Sequence, residues 1–251
     1  MKVIDAKETY FKSLNKVVFD ALETEDEVIL ANVSGQRYIG TGMDTGKSIV
    51  VEGTPGNDMG CYMNGGKIVV HGNGQDAVGN TMNGGEIVIH GHSGDTVGYG
   101  MRDGKIFIET NVGCRGGIHM KEFKEYKPEI VIGGRAGAYL GEYMAGGVIL
   151  LLGLNLKPER EIIGHYCATG MHGGVIYIRG SFPEDRVSPG IVAAPADDED
   201  MKKISVLVDE YCRNFDEDYD NIMSEKFTRL TPSSSRPYKN LYVRNEAYTN
   251  S

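Results

Sequence analysis

Residues 63 to 72 read Met-Asn-Gly-Gly-Lys-Ile-Val-Val-His-Gly. Nineteen residues on, 82 to 91 read Met-Asn-Gly-Gly-Glu-Ile-Val-Ile-His-Gly. After another nineteen, 101 to 110 read Met-Arg-Asp-Gly-Lys-Ile-Phe-Ile-Glu-Thr. Self-similarity at a fixed period marks a solenoid and takes precedence over local propensity. Each unit carries a short β-branched run, then Gly and polar residues, then a small-residue corner. None has a 3.6-residue helical pattern. This describes one coil of a β-helix, in which stacked coils bury a shared core.

Anchored on the residue that closes each strand, the coils end at Gly53, Gly72, Gly91, Thr110, Gly134, Gly153 and Gly180. That makes seven coils. The spacings are 19, 19, 19, 24, 19 and 27, so two coils carry outward loops: HMKEFKEYKP from residue 119 and LNLKPEREII from residue 154. The expected fold is all-β, a single-stranded β-helix over 37–182. A helix and lead-in strand precede it (1–36), and an acidic connector, an amphipathic helix and a C-terminal arm follow (183–251).

Stacking predicts columns of like residues about 4.8 Å apart. Ile49, Ile68, Ile87, Ile106, Ile130, Ile149 and Ile176 form one, and Val51, Val70, Ile89, Ile108, Ile132, Leu151 and Ile178 a second. By alternation both point inward. Between them run Val50, Val69, Val88, Phe107, Val131, Leu150 and Tyr177, which point outward yet are also apolar. A strand apolar on both faces is covered on both faces. This column is therefore expected beneath a flanking segment, another subunit or both, and Val50, Val69, Val88, Phe107, Leu150 and Tyr177 become interface candidates. Met63, Met82, Met101, Met144 and Met171 read as packing at a core corner.

The chain has 251 residues, 35 of them Gly, and a formal net charge of −9. With no basic run, nucleic acid and anionic membranes are poor partners. Cys61, Cys114, Cys167 and Cys212 lack ligand spacing and read as free thiols in a reducing compartment. MKVIDAKETYFK has no apolar signal region, and VILLLGL at 148–154 is too short to span a bilayer. A cytoplasmic location is expected.

Residues 8–23 read as a helix through Phe11, Leu14, Val18 and Leu22, which could lie on the outward column. GTGMDTGKS at 40–48 resembles a phosphate loop, but position 41 is Thr and a strand, not a helix, follows. Glu52, His71, His90 and Glu109 form an outer column that could hold a metal. The competing reading, a polar surface ladder, is preferred because a solenoid repeats whatever one coil carries. Lys67, Glu86 and Lys105 form an alternating charge ladder. Asp76 and Asp95 could do acid/base work but read better as corner residues capping backbone N–H groups. GHSGD around Ser93 lacks the setting of a nucleophile elbow. Residues 201–215 read as an amphipathic helix that caps the solenoid or docks along its side. The stretch from Phe227 onward, with Tyr238, Tyr242 and Tyr248, reads either as an arm that orders on a partner or as a disordered tail.

Gly60-Cys61-Tyr62-Met63-Asn64-Gly65-Gly66, Gly79-Asn80-Thr81-Met82-Asn83-Gly84-Gly85 and Gly141-Glu142-Tyr143-Met144-Ala145-Gly146-Gly147 resemble the Gly-x-x-Met-x-Gly-Gly units of the GXGXG family. That family includes the C-terminal domain of the glutamate synthase large subunit and one of the subunits of formylmethanofuran dehydrogenase. The resemblance covers about 27–180, and EVILANVSGQRYIGTGM leans toward glutamate synthase. It implies a right-handed β-helix acting as a scaffold, with catalytic residues, flavin, iron–sulfur cluster and metal ligands in other subunits and none in this chain. The glutaminase nucleophile of that enzyme is an N-terminal Cys, whereas residue 2 here is Lys2. The implied partners are the flavin-bearing synthase and glutaminase subunits of a split glutamate synthase. The alternatives are a formylmethanofuran dehydrogenase-like scaffold, an independent carbohydrate-active β-helix enzyme, and a homo-oligomer held by the same apolar face.

Overall fold

In the computed structural model, which describes residues 1–157 and 159–234, parallel strands stack in chain order: β1 (Lys2–Asp5), β2 (Glu27–Ser34), β3 (Ser48–Thr54), β4 (Asn64–His71), β5 (Asn83–Ile89), β6 (Asp103–Ile108), β7 (Glu129–Ile132), β8 (Ala145–Leu151) and β9 (Gly173–Arg179). The seven rungs β3–β9 enclose about six turns, one fewer than the seven coils expected. The ladder starts earlier than the repeat. Val28 pairs with Ile49 and Leu30 with Val51, so the lead-in strand is itself a rung, and β1 pairs in parallel with it.

The three columns stack in the register expected. Ile49 through Ile176 and Val51 through Ile178 pair rung to rung and are buried in one interior cluster. The Met column joins that cluster, and Met43 and Met120 extend it into coils where the motif is weaker. The Met-x-Gly-Gly spacing has a steric cause. A Cβ on Gly85, where φ is +93°, would lie 2.6 Å from Met63 Cε and 2.7 Å from backbone of the preceding coil. The Gly pair also absorbs the register shift between Asn64 and Lys67, one extra residue in a ladder that otherwise pairs one to one.

The chain ends differ from expectation. α1 (Phe11–Leu22) does not lie on the outward column. Leu14, Val18 and Ala21 join the interior cluster beside Val28 and Leu30, so α1 plugs the N-terminal end of the core. Past β9 the acidic connector contains a strand, β10 (Ile191–Pro195), and Phe227–Pro232 is a strand, β11, rather than an arm. β11 pairs antiparallel with β9 and then with β10, which ends the parallel stack. Tyr238, Tyr242 and Tyr248 lie outside the described residues.

α2 (Asp198–Phe215) docks along the side of the solenoid, and the short α3 (Tyr219–Met223) packs beside it. Asp197 caps α2, accepting from the backbone N–H groups of Glu199 and Asp200, while Asp200 returns the bond in a capping box. Ile204, Leu207, Val208 and Tyr211 form the buried stripe. Asp216, in the left-handed region at φ 55°, ends the helix.

Candidate interaction surface

α2 decides what the outward column can do. Its buried stripe packs on Val88, Phe107, Val131, Leu150 and Tyr177, each no more than 1% exposed. Polar ties fix its position. Tyr177 Oη donates to Asp200 Oδ1 at 2.6 Å, Tyr211 Oη donates to the Glu109 carbonyl at 2.8 Å, and Lys105 pairs with Glu210 at 2.6 Å. Arg229 of β11 reaches both Asp197 and Asp200 at 2.9 Å. Burial, and then the Asp200 bond, push the Tyr177 phenol well above its ordinary range.

Four of the six interface candidates, Val88, Phe107, Leu150 and Tyr177, are therefore covered by this chain's own helix. The reason is length. Eighteen residues of helix reach about 27 Å, at 1.5 Å each. The five rungs β5 to β9 span about 19 Å between the outermost strands, at about 4.8 Å per step. The remainder, about 8 Å, is more than one step of about 4.8 Å, and the helix ends with Phe215 edge-on to His90 at 5.1 Å.

Val69, half-buried, packs against the edge of this helix-covered cluster, and Val50, also half-buried, lies one rung further out. The register continues their column to Ile29, half-buried, and Val3, which is 62% exposed. β1 is the outermost strand at this end, and its second edge has no strand partner among the described residues. An apolar strip beside an open strand edge is thus left at the N-terminal end of the sheet.

A second exposed feature runs along a corner of the coils. Tyr62, His119 and Tyr143 occupy the same slot, immediately before the motif Met. His119 and Tyr143 stack at 5.3 Å, and Tyr99 meets His119 edge-on at 5.9 Å. Tyr139 stacks on Tyr166 at 5.0 Å, and the Arg115 guanidinium lies 4.7 Å above the Tyr139 ring while its Nε donates to Glu142 at 2.8 Å. Exposed Tyr and Arg in such a cluster is the composition of interface hot spots. Reading the motif column by column for its variable slots would have found these residues.

The remaining candidates resolve individually. His71 and His90 stack at 4.9 Å, and no group of three or more His, Cys, Asp or Glu among the described residues is placed to hold a metal. Burial and the neighbouring His71 lower the His90 pKa. Asp76 accepts from the Asp95 N–H at 2.9 Å and Asp95 from the Cys114 N–H at 2.7 Å, the capping reading of those corners. Lys67 pairs with Glu86 at 2.7 Å, and Lys105 bridges Glu129 at 3.4 Å and Glu210. Lys47 of the phosphate-loop-like stretch is engaged by the Glu25 carbonyl and Asp26, and β3 begins at the next residue. The four cysteines are free, and burial pushes the Cys167 thiol up to about 12. Among the described residues no helix is long and apolar enough to cross a membrane.

A parallel β-solenoid whose coils repeat Gly-x-x-Met-x-Gly-Gly, clasped by one helix along its side, defines a repeat protein whose features lie on its surface. The family model for the GXGXG motif matches residues 11–235, and the chain belongs to that family. It is also similar to a protein of Methanocaldococcus jannaschii described as uncharacterized, at 43% identity over 251 residues and 96% of each chain.

Proposed function

We propose that this chain is a non-catalytic scaffold subunit of a split glutamate synthase, holding a glutaminase subunit and a flavin-dependent, iron–sulfur-containing synthase subunit together. Membership of the GXGXG family supports a glutamate synthase-related role. The observation that carries the scaffold reading is the outward column. It is apolar along its whole length, α2 buries Val88 to Tyr177 and its cluster reaches Val69 in part, and the same sheet offers Val50, Ile29, Val3 and the exposed part of Val69 to another chain. Covering that strip would stabilise an assembly at roughly 25 cal/mol per Å² of apolar surface removed from water. The Tyr–Arg corner is a second surface suited to a second partner.

Affinity purification from the source cells under native conditions tests this, with co-purifying proteins identified by mass and visible absorbance recorded. A flavin and iron–sulfur protein together with a glutaminase supports the proposal. Molybdopterin proteins would favour the formylmethanofuran dehydrogenase-like reading, and a lone colourless protein would contradict both.

A further inference from the structure

The slot immediately after each motif Met forms a column of its own: Asp44, Asn64, Asn83, Arg102, Lys121. Backbone bonds from Asn64, Asn83, Arg102 and Lys121 to the carbonyls of Met43, Met63, Met82 and Met101 keep it in register. The side chains form a directed chain. Asn64 Nδ2 donates to Asp44 Oδ1 at 3.4 Å, Asn83 Nδ2 to Asn64 Oδ1 at 3.2 Å, and Arg102 Nη1 to Asn83 Oδ1 at 3.3 Å. The chain stops at Arg102. On the next rung is Lys121, a second cation, whose ammonium has no hydrogen-bond or ion-pair partner among the described residues.

Like charges on neighbouring rungs, about 4.8 Å apart, repel. Elsewhere the stack alternates sign, as Lys67 and Glu86 do. Here it does not. A cleft of about 390 Å³ opens against both cations. Its other wall is the loop of the first long coil, where Phe123 and Tyr126, residues 65% and 49% exposed, exchange backbone hydrogen bonds at 3.0 and 3.1 Å, and a third cation, Lys124, lies 5.2 Å from the Phe123 ring centroid. That loop is fastened at both ends. Glu122 accepts from the Gly147 N–H at 2.9 Å, and Asp103, also in the cleft, accepts from the Lys127 N–H at 3.1 Å. Two cations without an ion-pair partner among the described residues, with the Asp103 carboxylate engaged by the Lys127 N–H, face a pair of aromatic rings on a fastened loop, and together they make a preorganised site.

We propose that this cleft binds a small anion carrying a flat ring, with its phosphate or carboxylate on Arg102 and Lys121 and its ring against Phe123 and Tyr126. The guanidinium fork suits either oxyanion.

The test is calorimetric titration of the full chain at low salt with adenosine monophosphate, benzoate, adenosine and inorganic phosphate. Saturable binding of adenosine monophosphate, benzoate or both, with Kd below about 1 mM, supports the site, and which of them binds identifies the oxyanion. Adenosine and inorganic phosphate are expected to bind at least tenfold more weakly. Arg102→Gln with Lys121→Gln, and independently Phe123→Ser, are each expected to weaken binding at least tenfold while leaving Tm unchanged. The proposal is overturned if neither ring-bearing anion binds with Kd below about 1 mM (about −4.1 kcal/mol). Equal binding by the variants, or inorganic phosphate binding as tightly as the ring-bearing anions, also overturns it.

Discussion

The phenol of Tyr177 donates a 2.6 Å hydrogen bond to Oδ1 of Asp200, joining the last rung of the outward column to the first turn of the helix that covers it. Asp200 is buried and also pairs with Arg229 through Oδ2, so sheet, helix and closing strand meet at one carboxylate. Hydrogen bonds to charged groups contribute about 1.5–3 kcal/mol each. Tyr177→Phe keeps the ring and removes that bond, so urea unfolding should show a loss of this size. An unchanged midpoint would mean that Asp200 is held by Arg229 and the cap alone.

Coil stacking should also be sensitive at the first Gly of the motif. Gly79 has φ +67°, and a Cβ there would lie 2.5 Å from Ile106 Cδ1. Gly46 has φ +75° but nothing within 4 Å. Both Ala variants should incur about 1–2 kcal/mol of left-handed strain. Only Gly79→Ala should add an overpacking cost of about 1–3 kcal/mol. The protein itself supports the distinction: the last coil has Ala168 in this slot, at φ 62°, where among the described residues only an isolated bridge, Cys167 to Val187, and no further parallel strand follows. Equal losses at both sites would show that strain alone sets the preference for Gly.

His90 should make the helix edge sensitive to acid. Its pKa is lowered by burial and by His71, so the folded state disfavours the imidazolium. The sign follows directly: the stability is complete above the unfolded value near 6.5 and is lost as pH falls from there through the lowered folded value. Glu129, raised mainly by burial, works in the opposite direction over the range above its own unfolded value. The comparison is therefore between proteins that share Glu129. Between pH 7 and 5, Tm of the native sequence should fall further than that of His90→Gln. Parallel curves would show that His90 does not set the acid response.

Along the outward column, one substitution should act in two ways according to where α2 ends. Val88→Asp places a carboxylate under the helix and should destabilise by several kcal/mol or prevent folding. Val50→Asp lies past the helix and should cost about 1 kcal/mol or less, and Val69→Asp, at the edge of the helix-packed cluster, should fall between the two. Thermal unfolding of the three variants distinguishes them, and equal losses would show that the N-terminal strip is as closely packed as the rest.

The solenoid is legible in the sequence because stacking makes each structural requirement appear once per coil. Ile68, Val69, Val70 and their equivalents define the three columns, and every rung pairs as those residues demand. Met120 escapes the pattern because the long loop that follows it breaks the period at that coil. β10 and β11 escape it because IVAAP and FTRLTP are short, contain Pro and belong to no repeat, so only pairing with β9 defines them. The amphipathic face of α2 is legible but its destination is not, since an apolar stripe does not say which of several apolar surfaces it will meet. The candidate surface shrinks for the same reason, from six outward residues to Val50 and the partly covered Val69. The Tyr–Arg corner is hidden because its residues sit in the variable slots of the motif, outside the Gly and Met positions that mark the repeat.

The central claim is that the uncovered end of the sheet holds another subunit. Native mass spectrometry of complexes purified from source cells, with the chain tagged as native sequence, as Val50→Asp with Val69→Asp, and as Arg115→Ala, tests it most directly. The expected result is a complex containing a flavin protein for the native sequence, loss of one subunit in the double variant, and retention of the fold in all three. A complex of unchanged composition in the double variant, or a native chain that purifies alone, would contradict it.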